Sequence, residues 1–246
     1  MKIDLSFTPS ESGLMKLTGK RVVVIDVLRA CSTMIHALAR GCRDIYPCAT
    51  VGDARRLFRQ KVNELSRDAV LLGGERGGTK VKGFHLGNSP GEYSTGVVGG
   101  KTIVFTTSNC TRNLAFIKGK GAKEVLICSF TNLPAVAERL AGDDTDLLLS
   151  LSGTDRQMSL EDAVCGGMLV DALRKRPGIV LSDSARTAYI LYANYRRNIR
   201  RALLDSTHGK RLLELGFRDD ISSCSRVGRY RLIPTYVRGR VAVARA

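Results

Sequence analysis

The sequence is poor in the residues that zinc and redox chemistry usually require. It has three histidines, His36, His85 and His208, and no two stand at ligand spacing, which argues against a zinc centre. Seven cysteines stand at 31, 42, 48, 110, 128, 165 and 224. The count is odd and there is no CxxC pair. That pattern argues against a disulfide framework and predicts buried free thiols in a reducing compartment. No apolar run approaches the roughly 20 residues that cross a bilayer. The start, MKIDLSFTPSESG, lacks the apolar centre of a secretion signal. The expectation is a cytoplasmic protein with no membrane partner. Acidic residues are also few: 23 Asp and Glu against 39 Lys and Arg, a net charge of +16. Such an excess suits an anionic partner, which is nucleic acid, an anionic surface or an acidic small molecule. Charge alone does not choose among them or exclude a merely basic, solvated surface.

What is present is an alternation of strand and helix patterns. Hydrophobic residues make up 43% of 246, enough for a sizeable core. Ile3, Leu5 and Phe7 alternate as in a strand. Lys20 to Ile25 is a β-branched run of the kind buried on both sheet faces. Further strands are predicted over 44–47, 69–72, 101–106, 124–128, 147–151 and 231–237. Helices are predicted over 34–40, through Ala54, Leu57, Phe58, Val62 and Leu65, and from Arg112 to near Gly119. Asn132 with Pro134 opens another. Ser159 opens the next, with Asp162 at the acid position of a capping box. From Ser182 the pattern is mostly helical, with Gly216 ending a short helix. This order predicts one α/β domain over 1–246 with a largely parallel sheet.

One stretch fits neither period. Leu71 to Tyr93, LLGGERGGTKVKGFHLGNSPGEY, enters from a short apolar strand and then shows no helical or strand periodicity. Its glycines stand at 73, 74, 77, 78, 83, 87 and 91. Loops of this length are usually functional or disordered. Val81, Phe84 and Leu86 argue for an ordered one. Glycines let main-chain N–H groups approach an anion.

Strand exits carry the other candidates. Ile25-Asp-Val-Leu-Arg-Ala-Cys-Ser-Thr33 and Phe105-Thr-Thr-Ser-Asn-Cys-Thr-Arg112 both pass from a buried strand through small polar residues into a helix. Ligands of open α/β sheets bind at such ends, where helix N-termini attract anions. The loops 26–33, 73–93, 106–112 and 152–162 are expected along one edge. Asp26, Glu75 and Asp162 are candidate ligands for a hard cation such as Mg²⁺. Asp162 taken alone reads as a cap. Arg29, Arg76 and Arg112 are candidate oxyanion partners. Together these residues suggest phosphoryl chemistry on a small anion. Familiar devices fail: GGKT at 99–102 precedes a strand and lacks the earlier glycine of a P-loop. Neither Cys31 nor Cys110 has an arginine at thiol-phosphatase spacing.

The blocks VVVIDVLRACST, GGERGG…GFHLGNSPGEY, TTSNCTRN, SLEDAVCGG and STHGKRLLELGF…DI run in order along nearly the whole chain. Together they resemble the 2-phosphosulfolactate phosphatase family. The resemblance implies a three-layer α/β/α fold, a homodimer, and Mg²⁺-dependent hydrolysis of 2-phospho-3-sulfolactate or a related phosphorylated hydroxy acid. At matching positions it implies catalytic roles for Asp26, Arg29, Glu75, Arg76, Asn109 and Arg112. Substrate-binding roles fall to Ser32, Thr33, Asn88, Ser89, Thr106, Thr107 and Thr111, and metal binding to Asp26, Glu75 and Asp162. Cys31 and Cys110 replace the family's usual Thr and Gly, and a side chain at 110 is expected to narrow the phosphate cradle. Two alternatives stay open: an inactive relative with a binding role, and a basic nucleic-acid binder using Tyr195 to Arg201 and Arg226 to Arg245.

Overall fold

The structure is a computed structural model that describes residues 1–243. The chain opens with β1 (Lys2–Ser6), α1 (Pro9–Leu14), β2 (Arg21–Ile25), α2 (Ala30–Ala39), β3 (Asp44–Pro47) and α3 (Val51–Glu64). It continues through β4 (Val70–Arg76), β5 (Thr79–Lys80), α4 (Thr95–Val98), β6 (Thr102–Thr106), α5 (Cys110–Ile117), β7 (Glu124–Cys128) and α6 (Leu133–Ala141). Then come β8 (Leu147–Leu151), α7 (Leu160–Leu173), β9 (Val180–Leu181), α8 (Asp183–Tyr195), α9 (Ile199–Asp205), α10 (Thr207–Glu214) and α11 (Arg218–Cys224). A hairpin of β10 (Pro234–Val237) and β11 (Arg240–Val243) ends the described chain. Arg245, in the basic tail, lies outside the described residues.

The strands form one mixed sheet in the order β5-β4-β6-β3-β11-β10-β7-β2-β8-β1-β9. Helices cover both faces, as a three-layer α/β/α fold requires. The predicted strands all form. Their relative sense is less simple than one parallel sheet. β4, β6 and β3 are mutually parallel, as are β7, β2, β8, β1 and β9. Between the two blocks sit β11 and β10, paired antiparallel to each other and to their outer neighbours. Three reversals make the blocks run in opposite directions.

A flat sheet built this way would place the ends of β2 and β6 on opposite edges. They meet instead, because the sheet folds across the hairpin and wraps around α2 and α5. Met34 and Ile35 of α2 and Leu114 and Ile117 of α5 share one core with Val22 and Val24 of β2 and Ile103 and Phe105 of β6. The inner face of each block thus buries its apolar side chains against the same two helices. Burial of this kind contributes roughly 25 cal/mol per Å² of apolar surface. On the opposite face Leu149 and Leu151 of β8 pack with Val164, Leu169 and Val170 of α7. Among the described residues no helix is long and apolar enough to cross a membrane.

Several boundaries differ from expectation. Helix α2 begins at Ala30 rather than Met34, so Ser32 and Thr33 lie in its first turn. The stretch after Leu72 is not structureless: β4 continues through Gly73 and Gly74 to Arg76 and turns back into β5. Gly74 has φ +141°, and a Cβ there would collide with the carbonyl of Thr106 on the neighbouring strand. The glycines that hide the strand in sequence are what let β4 and β6 approach.

Helices α7 and α8 pack backbone against backbone. A Cβ on Gly167 would collide with the Ala188 carbonyl oxygen, whereas one on Gly142 meets nothing within 4 Å. Gly167→Ala is therefore expected to destabilise by roughly 1–3 kcal/mol, the range for overpacking. Gly142→Ala should change stability by less than about 0.5 kcal/mol. Urea unfolding of both variants checks this; equal midpoints would contradict the packing described.

Candidate functional site

The site begins where β2 runs out. Asp26 is buried, and its Oδ1 accepts from the Ala30 amide at 2.8 Å while its carbonyl accepts from the Cys31 amide. Burial pushes its carboxyl up to about 7, with the charges of Glu75 and Glu161 adding to the effect. Glu75, at the end of β4, is also buried. Its Oε1 accepts from the Ser108 amide at 2.7 Å and its Oε2 from the Gly78 amide at 2.8 Å. Those two bonds fasten the β6–α5 loop and the β4–β5 turn to one carboxylate.

Arg29 is the most buried cation in the region, at 2% exposure. Its Nη1 donates to Asp220 Oδ2 and its Nη2 to the Gly78 carbonyl, both at 2.6 Å. The guanidinium lies 4.2 Å above the Phe217 ring, an attraction that grows where water is excluded. Asp220 also accepts from Ser89 Oγ at 2.6 Å. One guanidinium and one carboxylate therefore join the β2–α2 loop, the β4–β5 turn, the 88–92 segment and the C-terminal helices.

These groups enclose a narrow cavity with about 30 Å³ of water-accessible space. Asp26, Arg29, Glu75, Asn88 and Asn109 line it, together with His208 and Arg211 of α10. Three of the lining side chains carry a buried polar atom with no hydrogen-bond partner: Arg29 Nε, Asn88 Oδ1 and His208 Nδ1. Buried polar atoms in folded proteins are nearly always paired, so such a concentration marks a place that a ligand completes. Burial holds the His208 imidazole below its ordinary range, with Arg29 and Arg211 reinforcing the shift.

The structure divides the expected residues into two groups. Asp26, Arg29, Glu75, Asn88, Thr107 and Asn109 line the cavity. The others do not. Ser32 Oγ donates to the Val27 carbonyl at 2.7 Å and Thr33 Oγ1 to the Asn88 carbonyl at 2.8 Å, as residues in a first helical turn often do. Thr111 Oγ1 donates to the Thr107 carbonyl at 2.8 Å. Thr106 Oγ1 accepts from Arg76 Nη2 at 2.8 Å, and Arg76 Nη1 donates to the Glu75 carbonyl at 2.6 Å. Arg76 thus ties strand ends together. Ser89 reaches the site only through Asp220. Arg112 is exposed and lines a neighbouring cavity that shares Asn109. The three arginines do not converge on one cavity.

Asp162 is neither a simple cap nor a cavity-facing ligand. Its Oδ1 accepts from the Val27 amide at 2.8 Å and its Oδ2 from the Gly153 amide at 3.1 Å, latching the exits of β2 and β8. Burial, with Asp26 and Glu161 nearby, pushes its carboxyl well above the usual range. Among the described residues no group of three or more His, Cys, Asp or Glu is arranged to hold a metal ion. Of the three expected ligands Asp26 and Glu75 remain on the cavity, where Asp155 adds a third carboxylate. That donor set fits a hard cation of the Mg²⁺ type, which takes one or two protein carboxylates and completes its shell with phosphate oxygens and water.

Cys31 and Cys110 do not narrow the cavity. Their sulfurs lie 3.7 Å apart in the core, and neither residue lines the cavity. Burial also pushes the Cys31 thiol well up, which leaves it a poor nucleophile. Five polar contributors were missed in sequence: Ser108, Thr154, Asp155, His208 and Arg211. The signal for the last pair was present in the STHGKR block, but a histidine without a nearby partner in sequence gave no reason to single it out. Glu161 was also missed. It is buried beside Asp162, its Oε2 unpaired, and burial raises its carboxyl to about 7.

A folded α/β sheet whose strand ends present the carboxylates of Asp26 and Glu75, a buried arginine and unpartnered polar atoms to a narrow cavity is suited to a small oxyanion. The sequence profile described as 2-phosphosulpholactate phosphatase matches residues 6–239. A Clostridium acetobutylicum protein named probable 2-phosphosulfolactate phosphatase is 37% identical over 243 residues, covering 98% of this chain and 100% of the relative. A protein of the same name from Carboxydothermus hydrogenoformans is 40% identical over 235 residues, 95% of this chain and 92% of the relative. One from Symbiobacterium thermophilum is 36% identical over 230 residues, 93% of this chain and 96% of the relative. The chain belongs to the 2-phosphosulfolactate phosphatase family.

The buried acids make stability pH-dependent in metal-free protein. A carboxyl near 7 in the fold and 3.8 when unfolded keeps its proton in the native state alone between those values. Stability is then greatest below about pH 4 on this account and falls as pH rises through 7. Asp26→Asn should flatten part of that fall and unfold at higher urea than the parent at pH 8, by at least about 1 kcal/mol. Urea titrations with a chelator at pH 5 and 8 test it. An Asn variant less stable than the parent at pH 8 would contradict the cost assigned to Asp26.

Proposed function

We propose that this chain is a Mg²⁺-dependent phosphatase that hydrolyses 2-phospho-3-sulfolactate, or a closely related phosphorylated hydroxy acid, to the free hydroxy acid and phosphate. One observation carries the proposal: three unpartnered buried polar atoms belong to residues lining the cavity that Asp26 and Glu75 share. The names of the relatives specify the substrate class.

Asp26 and Glu75 would hold the cation, which when bound supplies positive charge to the phosphoryl oxygens. The chain's own residues do the rest. Arg29, fixed by Asp220 and Gly78, keeps its guanidinium charge beside the transferring group, where a preorganised donor needs no rearrangement as charge develops. Asn88 and Asn109 orient the phosphate. Water adds to phosphorus in line, the ester P–O bond breaks, and the proton that the attacking water gives up ends on the departing alkoxide oxygen. His208, kept neutral by burial, stands on the α10 side of the cavity and hydrogen-bonds the departing oxygen. No thiolate takes part, since Cys31 and Cys110 face the core.

A competing reading as a nucleic-acid binder finds no support at this cavity. The Tyr195 to Arg201 stretch contributes no residue to it, and Arg201 is already paired with Asp205 at 3.3 Å.

Phosphate release from 2-phosphosulfolactate by the purified chain tests the proposal. Activity should vanish in EDTA and return with Mg²⁺. Glu75→Gln should lose at least about a hundredfold in kcat, roughly 2.7 kcal/mol of barrier. Full activity after metal removal would overturn the cation's role; an active Glu75→Gln would overturn the site.

A further inference from the structure

The reactive cavity has too little room for the whole proposed substrate. About 30 Å³ holds roughly one water molecule. A three-carbon acid bearing phosphate, carboxylate and sulfonate must extend elsewhere, so the structure should provide adjoining space with matching charge.

A second cavity, of about 410 Å³, meets that condition. Asn109 lines both cavities, whereas three further large cavities share no lining residue with the reactive one. The same two loops wall both spaces. The β6–α5 segment contributes Ser108 to the first and Arg112 to the second. The β8–α7 segment contributes Asp155 to the first and Arg156 to the second.

The second cavity carries two guanidiniums, Arg112 and Arg156, with Ser10 and Ser152, and no carboxylate lines it. Neither arginine forms a salt bridge among the described residues, whereas Arg29 of the first cavity is paired with Asp220. Phe116, 41% exposed, offers an apolar wall. Asp155 and Arg156 sit in succession at φ +50° and +67°. They are the central pair of a tight turn closed by reciprocal main-chain bonds between Thr154 and Gln157, a turn that takes φ > 0 at both positions. This backbone directs consecutive side chains to the two cavities.

We propose that Arg112 and Arg156 form the subsite for the sulfonate of the substrate, and so determine the preference for a sulfonated over an unsulfonated phosphoester. The inference rests on the phosphatase proposal for its substrate, with Arg156 as a specificity residue that its sequence position did not suggest. A guanidinium suits the trigonal face of three sulfonate oxygens as a planar fork. It stays charged at all working pH values, which a sulfonate, itself always ionised, requires of its partner.

The test compares 2-phosphosulfolactate with 2-phospholactate, which lacks the sulfonate, using the parent, Arg112→Gln and Arg156→Gln. The quantity read is the ratio of kcat/KM for the two substrates. Each substitution should lower that ratio by about tenfold to a hundredfold, the span of a charge-assisted hydrogen bond, and mostly through KM. An equal loss on both substrates, or an unchanged ratio, overturns the subsite. A second readout does not depend on turnover: calorimetric binding of 3-sulfolactate and of lactate. The parent should bind 3-sulfolactate at least about tenfold more tightly, and Arg156→Gln should erase the difference. If neither phosphoester is hydrolysed, the phosphatase proposal fails while sulfolactate binding still decides the subsite. A parent that does not discriminate between the two acids overturns it.

Discussion

A buried guanidinium is a costly thing to place in a protein, and Arg29 is placed where four segments of chain must meet. Its two terminal nitrogens are used by Asp220 and by the Gly78 carbonyl, its face lies on Phe217, and its Nε is left without a partner beside the cavity. Desolvating such an ion costs several kcal/mol, which its partners offset only with good geometry. Asp220 takes a second bond from Ser89. The C-terminal helices are thus drawn over the strand ends by an ion pair rather than by apolar packing alone. His208 and Arg211 reach the cavity because α10 precedes the helix that carries Asp220.

The same economy explains the sheet. Two parallel blocks of opposite sense would separate their strand ends, yet Asp26 and Glu75 share a cavity. The β10–β11 hairpin lets the sheet fold, and α2 and α5 fill the space inside the fold. Acids then line up behind the site: Asp26, Asp162 and Glu161 are all buried, and burial raises each of them. Asp162 is compensated by two main-chain amides, so it serves to hold the β2 and β8 exits. Asp26 has one oxygen so engaged, through Ala30. Glu161, away from the cavity, keeps an unpaired Oε2, so incomplete compensation runs through the acid cluster and is not confined to the residue on the cavity.

Most of the fold was legible because its strands are short apolar runs separated by helical periods. The rest was hidden for particular reasons. Gly73 and Gly74 made the end of β4 look like a loop, although Gly74 is required by the approach of Thr106. Helix α1 was missed, yet Thr8 caps it, with Pro9 at its start and Glu11 bonded back to Thr8; a capping signal over six residues carries no periodicity. The opposed sense of the two blocks is set by the hairpin's long-range pairing, which no local pattern records. At the site, residue type pointed to Asp26, Arg29 and Glu75, which line the cavity. It pointed also to Ser32, Thr33 and Thr111, which do not line it and whose hydroxyls bond their own loops or neighbouring main chain. It did not point to His208, which lies 182 positions beyond Asp26 in sequence order and meets it only through the tertiary fold.

The central claim is that the Arg29–Asp220 pair holds the site together, and a double-mutant cycle measures it directly. Unfolding free energies would be determined for the parent, Arg29→Met, Asp220→Leu and the double variant. Each single change leaves a buried charge without its partner and should cost about 3–5 kcal/mol. The double variant removes both charges and should be less destabilised than the sum of the singles by at least about 2 kcal/mol. Additive losses, with no coupling between the two positions, would contradict the account.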